Sequence, residues 1–239
     1  LEYFQRTLDF HPDHRLEFIR YRKGGIEVHF ESRKKMHKKT FDRILIAAGR
    51  HPNLSSLNLQ NAGIKVKQYQ SVDCNPGTLQ VKGGAVFLAG DVSRIRPVLH
   101  EAGDEGVIAG YNAAHYPKIR RFKRKTPMSI AFTQPQIAVA GQTWGRLNPE
   151  VCSGEADYTD QGRSRIAGVN TGLMRLYADR KSKRILGAEL FGPDAEHIAH
   201  LLTWCIQKRF TADQMLEFPY YHPTVEESIR TALKNLQFT

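Results

Sequence analysis

At 239 residues and 41% hydrophobic content, the chain has apolar material enough for one large or two medium cores. It holds no run of about 18 apolar residues, and its first ten residues, LEYFQRTLDF, lack a signal-peptide pattern, so neither a membrane span nor a cleaved leader is expected. The net charge of +11 raises nucleic-acid binding, but the basic residues concentrate in two short patches, 33–39 and 120–125, outside any nucleic-acid motif, and read as solvated loops.

In chain order, residues 1–41 show short alternating runs, such as LEFIRY and IEVHF, separated by polar turns that include Gly24-Gly25, and this pattern predicts a β-meander. The chain opens without Met and directly in strand-like sequence, which suggests a piece whose upstream part is absent. The apolar run 44–48, closed by Gly49-Arg50-His51-Pro52-Asn53, fits a strand buried on both faces, or simply a core strand closed by a turn. Residues 54–84 predict irregular structure and short strands.

The stretch 85–106, AVFLAGDVSRIRPVLHEAGDEG, is the centre of the chain. An apolar run, 86–89, ends in Gly90-Asp91, and a helical pattern begins at Leu99 and continues to residue 114. A carboxylate at the carboxyl end of a buried parallel strand points into a ligand crevice and accepts bonds from hydroxyl groups. The helix start near Leu99 and His100 offers N–H groups and partial positive charge to an anion. The same residues equally suit a strand ending in a turn. Pro117 stops the helix, and the basic segment that follows reads as a linker.

Beyond residue 126 the pattern changes. Runs 129–132 and 137–140 predict strands, and 172–177 with 184–191 predict a hairpin. A helix is expected over 194–208 from its 3.6-residue spacing, another over 211–216 with Thr211 as N-cap, and a last one over 225–236. Strands followed by helices imply an α+β layer. Near the end, His222-Pro223-Thr224 leads into a helix carrying Glu226 and Glu227. A carboxylate on one ring nitrogen fixes the imidazole tautomer and raises the basicity of the other nitrogen, although a surface histidine before a capped helix has the same local sequence. Cys74, Cys152 and Cys205 are far apart and odd in number, so no disulfide framework, zinc knuckle or other metal site is expected, and a reducing cytoplasm fits best.

Several ordered motifs together resemble the flavoprotein disulfide reductases with two dinucleotide domains, the group of dihydrolipoamide dehydrogenase and glutathione reductase. They are the apolar strand then GRHPN, VFLAGDV followed by PVLHEAGDEG, FTQPQIAVAG, GLMRLYADRKSKRILGAELFGPDAEHI and FPYYHPTVEE. The resemblance implies an α/β plus α+β fold, with a partial Rossmann-type FAD/NAD(P)-binding region before an α+β dimerisation domain. It divides the chain into the tail of an NAD(P) domain (1–48), the carboxy-terminal part of an FAD domain (49–118), a basic linker (119–125) and the dimerisation domain (126–239).

By the same resemblance, Gly49 lies near the nicotinamide nucleotide, Gly90 and Asp91 meet the flavin ribitol, and Pro97, Val98, Leu99 and His100 face the flavin pyrimidine edge. His222 is the acid/base that serves the partner subunit's dithiol in a homodimer, and Glu227 orients it. FAD and NAD(P) are the cofactors of the complete enzyme, and a small-molecule or lipoyl-domain dithiol is its substrate; nucleic acid and membrane are not expected partners. The dihydrolipoamide dehydrogenase branch fits best, with glutathione reductase or a non-catalytic dimerisation piece as alternatives. The chain has no Gly-x-Gly-x-x-Gly loop and no Cys-x-x-x-x-Cys pair, so by itself it is expected to be inactive and need bind neither cofactor.

Overall fold

A computed structural model describes residues 1–67, 71–82, 84–147 and 150–238, which form two compact units, Leu1–His51 and Pro52–Thr239. The first unit opens with α1 (Glu2–Thr7), where a strand pattern was expected, and continues as a meander: β1 (Arg15–Arg22), β2 (Gly25–Ser32) and β3 (Lys35–Phe41), paired antiparallel in that order. The central strand β2 buries Ile26 and Val28, and its neighbours are largely exposed. The two-residue β2–β3 turn holds Arg33 and Lys34 at φ 50° and 61°, the mirror-type hairpin geometry that suits the strand twist.

The run 44–48 differs from expectation. It forms no strand, and Leu45 and Ile46 are 90% and 72% exposed. A strand buried on both faces needs flanking strands to take up its N–H and C=O groups. The three strands of this unit are already arranged as β1-β2-β3 without it.

The second unit begins with irregular chain and two 3-10 turns that bury Leu54, Leu59 and Ile64 with Val72, Val81 and Leu88. Residues 68–70 and 83, part of the stretch expected to carry short strands, lie outside the described residues. The run 86–89 is not a parallel strand. Phe87 bridges Gln80 antiparallel, the Val81 N–H donates to the Val86 carbonyl and the Leu88 N–H to the Leu79 carbonyl. Local antiparallel pairing thus satisfies this backbone.

The long helix α2 (Leu99–Ala114) follows, and buries Ile108 and Ala109 against Leu79. The segment 118–125, expected as a solvated linker, is exposed at most positions and is tied to the unit at a few. Asn112 of α2 donates to the Thr78 and Arg120 carbonyls and accepts from the Arg120 N–H, the Phe122 N–H donates to Gly77, and the Arg124 side chain is only 10% exposed.

A five-stranded antiparallel sheet then forms from β4 (Met128–Ala131), β5 (Gln136–Gly141), β6 (Val151–Asp157), β7 (Leu173–Asp179) and β8 (Ile185–Gly192), in the order β4-β5-β8-β7-β6. Strand β6 and the short helix α3 (Gly162–Ile166) are additions to the sequence-based expectation. Helix α4 (Ala195–Lys208) lies on β4, β5 and β8, and its spacing places Ile198, Ala199 and Leu202 in the core with Met174, Leu176 and Leu190. Helix α5 (Ala212–Leu216) starts at the expected Thr211, which forms a capping box with Gln214. Helix α6 (Glu227–Lys234) packs on β6 and β7 through Ile229, Ala232 and Leu233.

Candidate active site

Two groups of side chains stand out in the second unit, one at the turn before α2 and one at the start of α6. At the first, Gly90 adopts φ +81°, a region where a side chain is strained, and leads into a 3-10 turn over Asp91–Ser93. Asp91 is exposed. The first turn of α2 has Val98 at its N-cap and no side-chain cap, and Leu99 and His100 are both exposed there, with Leu99 at 90%. Pro97 is exposed and Val98 half-buried. Asp91 thus sits in an exposed 3-10 turn rather than at the end of a parallel strand, a few residues before the uncapped start of α2.

What holds this turn was not read from the sequence. Glu105, fully buried one turn after Glu101 on α2, accepts the Gly90 N–H at 2.8 Å and the Ser93 hydroxyl at 2.9 Å on one carboxylate oxygen. Its other oxygen accepts Arg124 Nη2 at 2.8 Å, and the same Nη2 donates to Glu101 at 2.6 Å. Arg96 completes the cluster through Glu101 at 2.7 Å and also donates to the Lys125 carbonyl. Burial opposes ionisation of Glu101, yet the two guanidinium groups outweigh it and hold the carboxyl below its ordinary range. The i, i+4 spacing of two acids on a helix, followed by a basic stretch, was the available signal, but it reads equally as a solvated face. Beside this cluster a cavity of about 190 Å³ opens between Arg96, Pro97, Val98 and Glu101 on one side and Met128 and Val139 on the other.

At the second group, His222 Nδ1 lies 3.1 Å from both oxygens of Glu227, the first residue of α6. The imidazole is 79% exposed and Glu227 28%. Burial alone would raise the Glu227 pKa; the Thr224 N–H, the His222 ring and Arg230 reverse this and bring it below the ordinary carboxylate range. Nδ1–H donation to Glu227 leaves Nε2 as the exposed proton acceptor.

The 221–227 turn is pinned from both sides. The Thr224 N–H donates to Glu227 and its hydroxyl to the Tyr221 carbonyl, while Gln161 Nε2 donates to the Thr224 carbonyl at 2.6 Å. Beneath it, the buried Tyr158 hydroxyl meets Ser228 Oγ at 3.3 Å. Burial pushes that phenol up to about 12, so it stays a neutral hydrogen-bonding group at any physiological pH. Gln161 and Tyr158, more than 60 residues from the histidine, carry no local sequence signal.

The remaining expected site residue, Gly49, belongs to the first unit, where it is exposed at φ +93° with open space around its α-carbon. None of the three cysteines is poised as a thiolate: burial pushes Cys74 up to about 11 and raises Cys152 and Cys205.

Residues 127–233 match the family model for the pyridine nucleotide-disulphide oxidoreductase dimerisation domain. Dihydrolipoyl dehydrogenase of Haloferax volcanii is 29% identical over 202 residues, covering 81% of this chain and 41% of the relative. That of Thermus scotoductus is 29% identical over 198 residues, covering 82% and 42%. The chain thus spans less than half the length of these curated relatives. Among solved structures, LpdA from Mycobacterium tuberculosis superposes with a TM-score of 0.81 at 19% identity, over 98% of this chain and 50% of that one, a likeness of fold. Residues 127–233 thus match the dimerisation domain of the pyridine nucleotide-disulphide oxidoreductases, and most of the chain is similar to dihydrolipoyl dehydrogenases, which are oxidoreductases.

Proposed function

We propose that this chain supplies part of the flavin site, the dimer interface and the acid/base pair of an FAD-dependent dithiol/disulfide oxidoreductase of the dihydrolipoamide dehydrogenase kind, working with NAD(P) in the cytoplasm. The observation that carries the reading is the His222–Glu227 pair, an exposed imidazole whose Nδ1 sits on a carboxylate held by the backbone. A thiol near its ordinary pKa is mostly protonated at pH 7, so a base at Nε2 that takes the substrate thiol proton generates the attacking thiolate, and the same nitrogen returns the proton to the leaving sulfur. Glu227 stabilises the imidazolium formed between these steps. The dithiol belongs to a small molecule or to a lipoyl domain, and the exposure of His222 leaves it accessible to a site completed by a second copy of the chain.

The donor set before α2 suits a flavin dinucleotide. Asp91 would accept bonds from ribitol hydroxyls, and Gly90, at a φ that disfavours a side chain, keeps the turn open. The uncapped first turn, Pro97 to His100, would face the pyrimidine edge, where reduced flavin carries negative charge. Bound there, the flavin supplies the electron relay between the dithiol and the nicotinamide nucleotide, near which Gly49 would lie. Without a Gly-x-Gly-x-x-Gly loop or a Cys-x-x-x-x-Cys pair, the isolated chain is inactive in this reading.

The test is made on the protein expressed from its complete reading frame. A yellow protein reduced by a dithiol is expected. His222→Ala should lower dithiol turnover by about 10²–10⁴-fold while leaving flavin content unchanged. Equal loss of flavin and turnover would make the histidine structural, and a colourless wild-type dimer would support a non-catalytic scaffold instead.

A further inference from the structure

The first unit carries a cluster that the flavin chemistry does not use. Among the described residues, His11, Asp13 and His14 bring two ring nitrogens and a carboxylate oxygen within 4.8 Å of one another. They line an open depression of about 630 Å³ together with His37, Arg33 and Lys35. We propose that this cluster is a binding site for a divalent transition metal ion of the zinc type.

Three features support it. First, His11 Nε2 is 2.6 Å from Asp9 Oδ1. A ligand histidine is commonly oriented in this way, with one ring nitrogen donating to a carboxylate and the other left for the metal. Second, the neighbours limit how far the donors can wander: the His14 ring stacks on Phe30 at 4.6 Å, and Ser32 donates to Asp13 at 3.4 Å. Third, two imidazoles and one carboxylate are the donor set that zinc takes in three-ligand sites, and nitrogen donors discriminate against Mg²⁺ and Ca²⁺, which require oxygen.

The geometry asks for a small closure. Donors around a tetrahedral zinc at about 2.0–2.1 Å stand roughly 3.3 Å apart. The His11 and His14 rings are now stacked at 4.3 Å with their planes 8° apart. The donors now lie within 4.8 Å of one another, and small rotations of the exposed Asp13 and His11 side chains that keep the Asp9 contact close this gap, motions that such residues make in picoseconds to nanoseconds. Arg33 and Lys35 oppose a cation in this depression, and Asp9 and Asp13 offset them.

The experiment is isothermal titration of the chelator-treated full chain with ZnCl₂, with X-ray absorption on the loaded protein. Saturable binding of one zinc ion with two imidazole ligands is expected. His14→Gln should abolish it, and Asp9→Asn, which removes only the orienting carboxylate, should weaken it about 10-fold. A control, His200→Gln, lies on α4 outside the cluster and should leave binding unchanged. All four substituted or parent chains are compared by circular dichroism to confirm the fold. Absence of saturable zinc binding in the parent chain, binding that survives His14→Gln unchanged, or loss of binding in His200→Gln would each overturn the proposal.

Discussion

Glu227 carries more of the site than its 28% exposure suggests, because it is bound at once by a backbone N–H and by the His222 ring. Its pKa in the folded chain lies below the unfolded value, so its contribution to stability is fully present above the unfolded carboxylate range and is lost as pH falls through the folded value. The thermal midpoint of Glu227→Gln should therefore lie below that of the parent chain at pH 7, and the gap should close toward pH 3. A gap independent of pH, measured by calorimetry across that range, would mean that the carboxylate charge contributes nothing. Glu105 is the counterpart at the other group: a buried carboxylate with three donors, including the N–H of the residue before Asp91. Removing one partner of such a buried charge typically costs several kcal/mol, so the turn before α2 is held firmly.

At the scale of elements, α6 is aimed by how closely it can approach β6. A side chain at Gly154 of β6 would fall on the Ala232 carbonyl in the last turn of α6 and 2.8 Å from the Leu236 backbone nitrogen just beyond it. Gly154→Ala must push α6 away from the sheet, at a cost of about 1–3 kcal/mol, which lowers the melting temperature by roughly 4–8 °C for about 2 kcal/mol. Since α6 begins with Glu227, the same variant should loosen the His222 contact, visible as a changed His222 imidazole chemical shift. Ser153→Ala, next on the strand, serves as the control and should leave both unchanged. The segment 118–125 works similarly: its backbone is tied to α2 through Asn112 and to residue 77, and its Arg124 pairs with the buried Glu101 and Glu105.

For the whole molecule, the second unit presents Phe132, Trp144, Trp204 and Tyr221 at 56–83% exposure. Large aromatic side chains left open beside a well-packed sheet suit coverage by another protein surface, and the matched dimerisation domain makes a second copy the expected occupant. The isolated chain should sediment at twice its 27.2 kDa mass, and Trp204→Lys should shift it toward the monomer. A monomeric parent chain at micromolar concentration would show that these aromatics are covered in another way. Among the described residues, no helix is long and apolar enough to cross a membrane.

The sequence by itself determined what depends on neighbours along the chain: the meander from its alternation, α2 and α4 from their 3.6-residue spacing, Thr211 as an N-cap, and the His222–Glu227 pair from five-residue spacing across a turn. Tertiary structure decided what depends on neighbours in space. The runs 44–48 and 86–89 have the composition of buried parallel strands, but a strand exists only where partners take its hydrogen bonds. The first remains exposed, and the second pairs antiparallel with 79–81. Likewise Glu101, Glu105 and Arg124 read as surface charges until folding removes them from water together. Gln161 and Tyr158 reach the 221–227 turn only because the chain after β6 folds back against the start of α6.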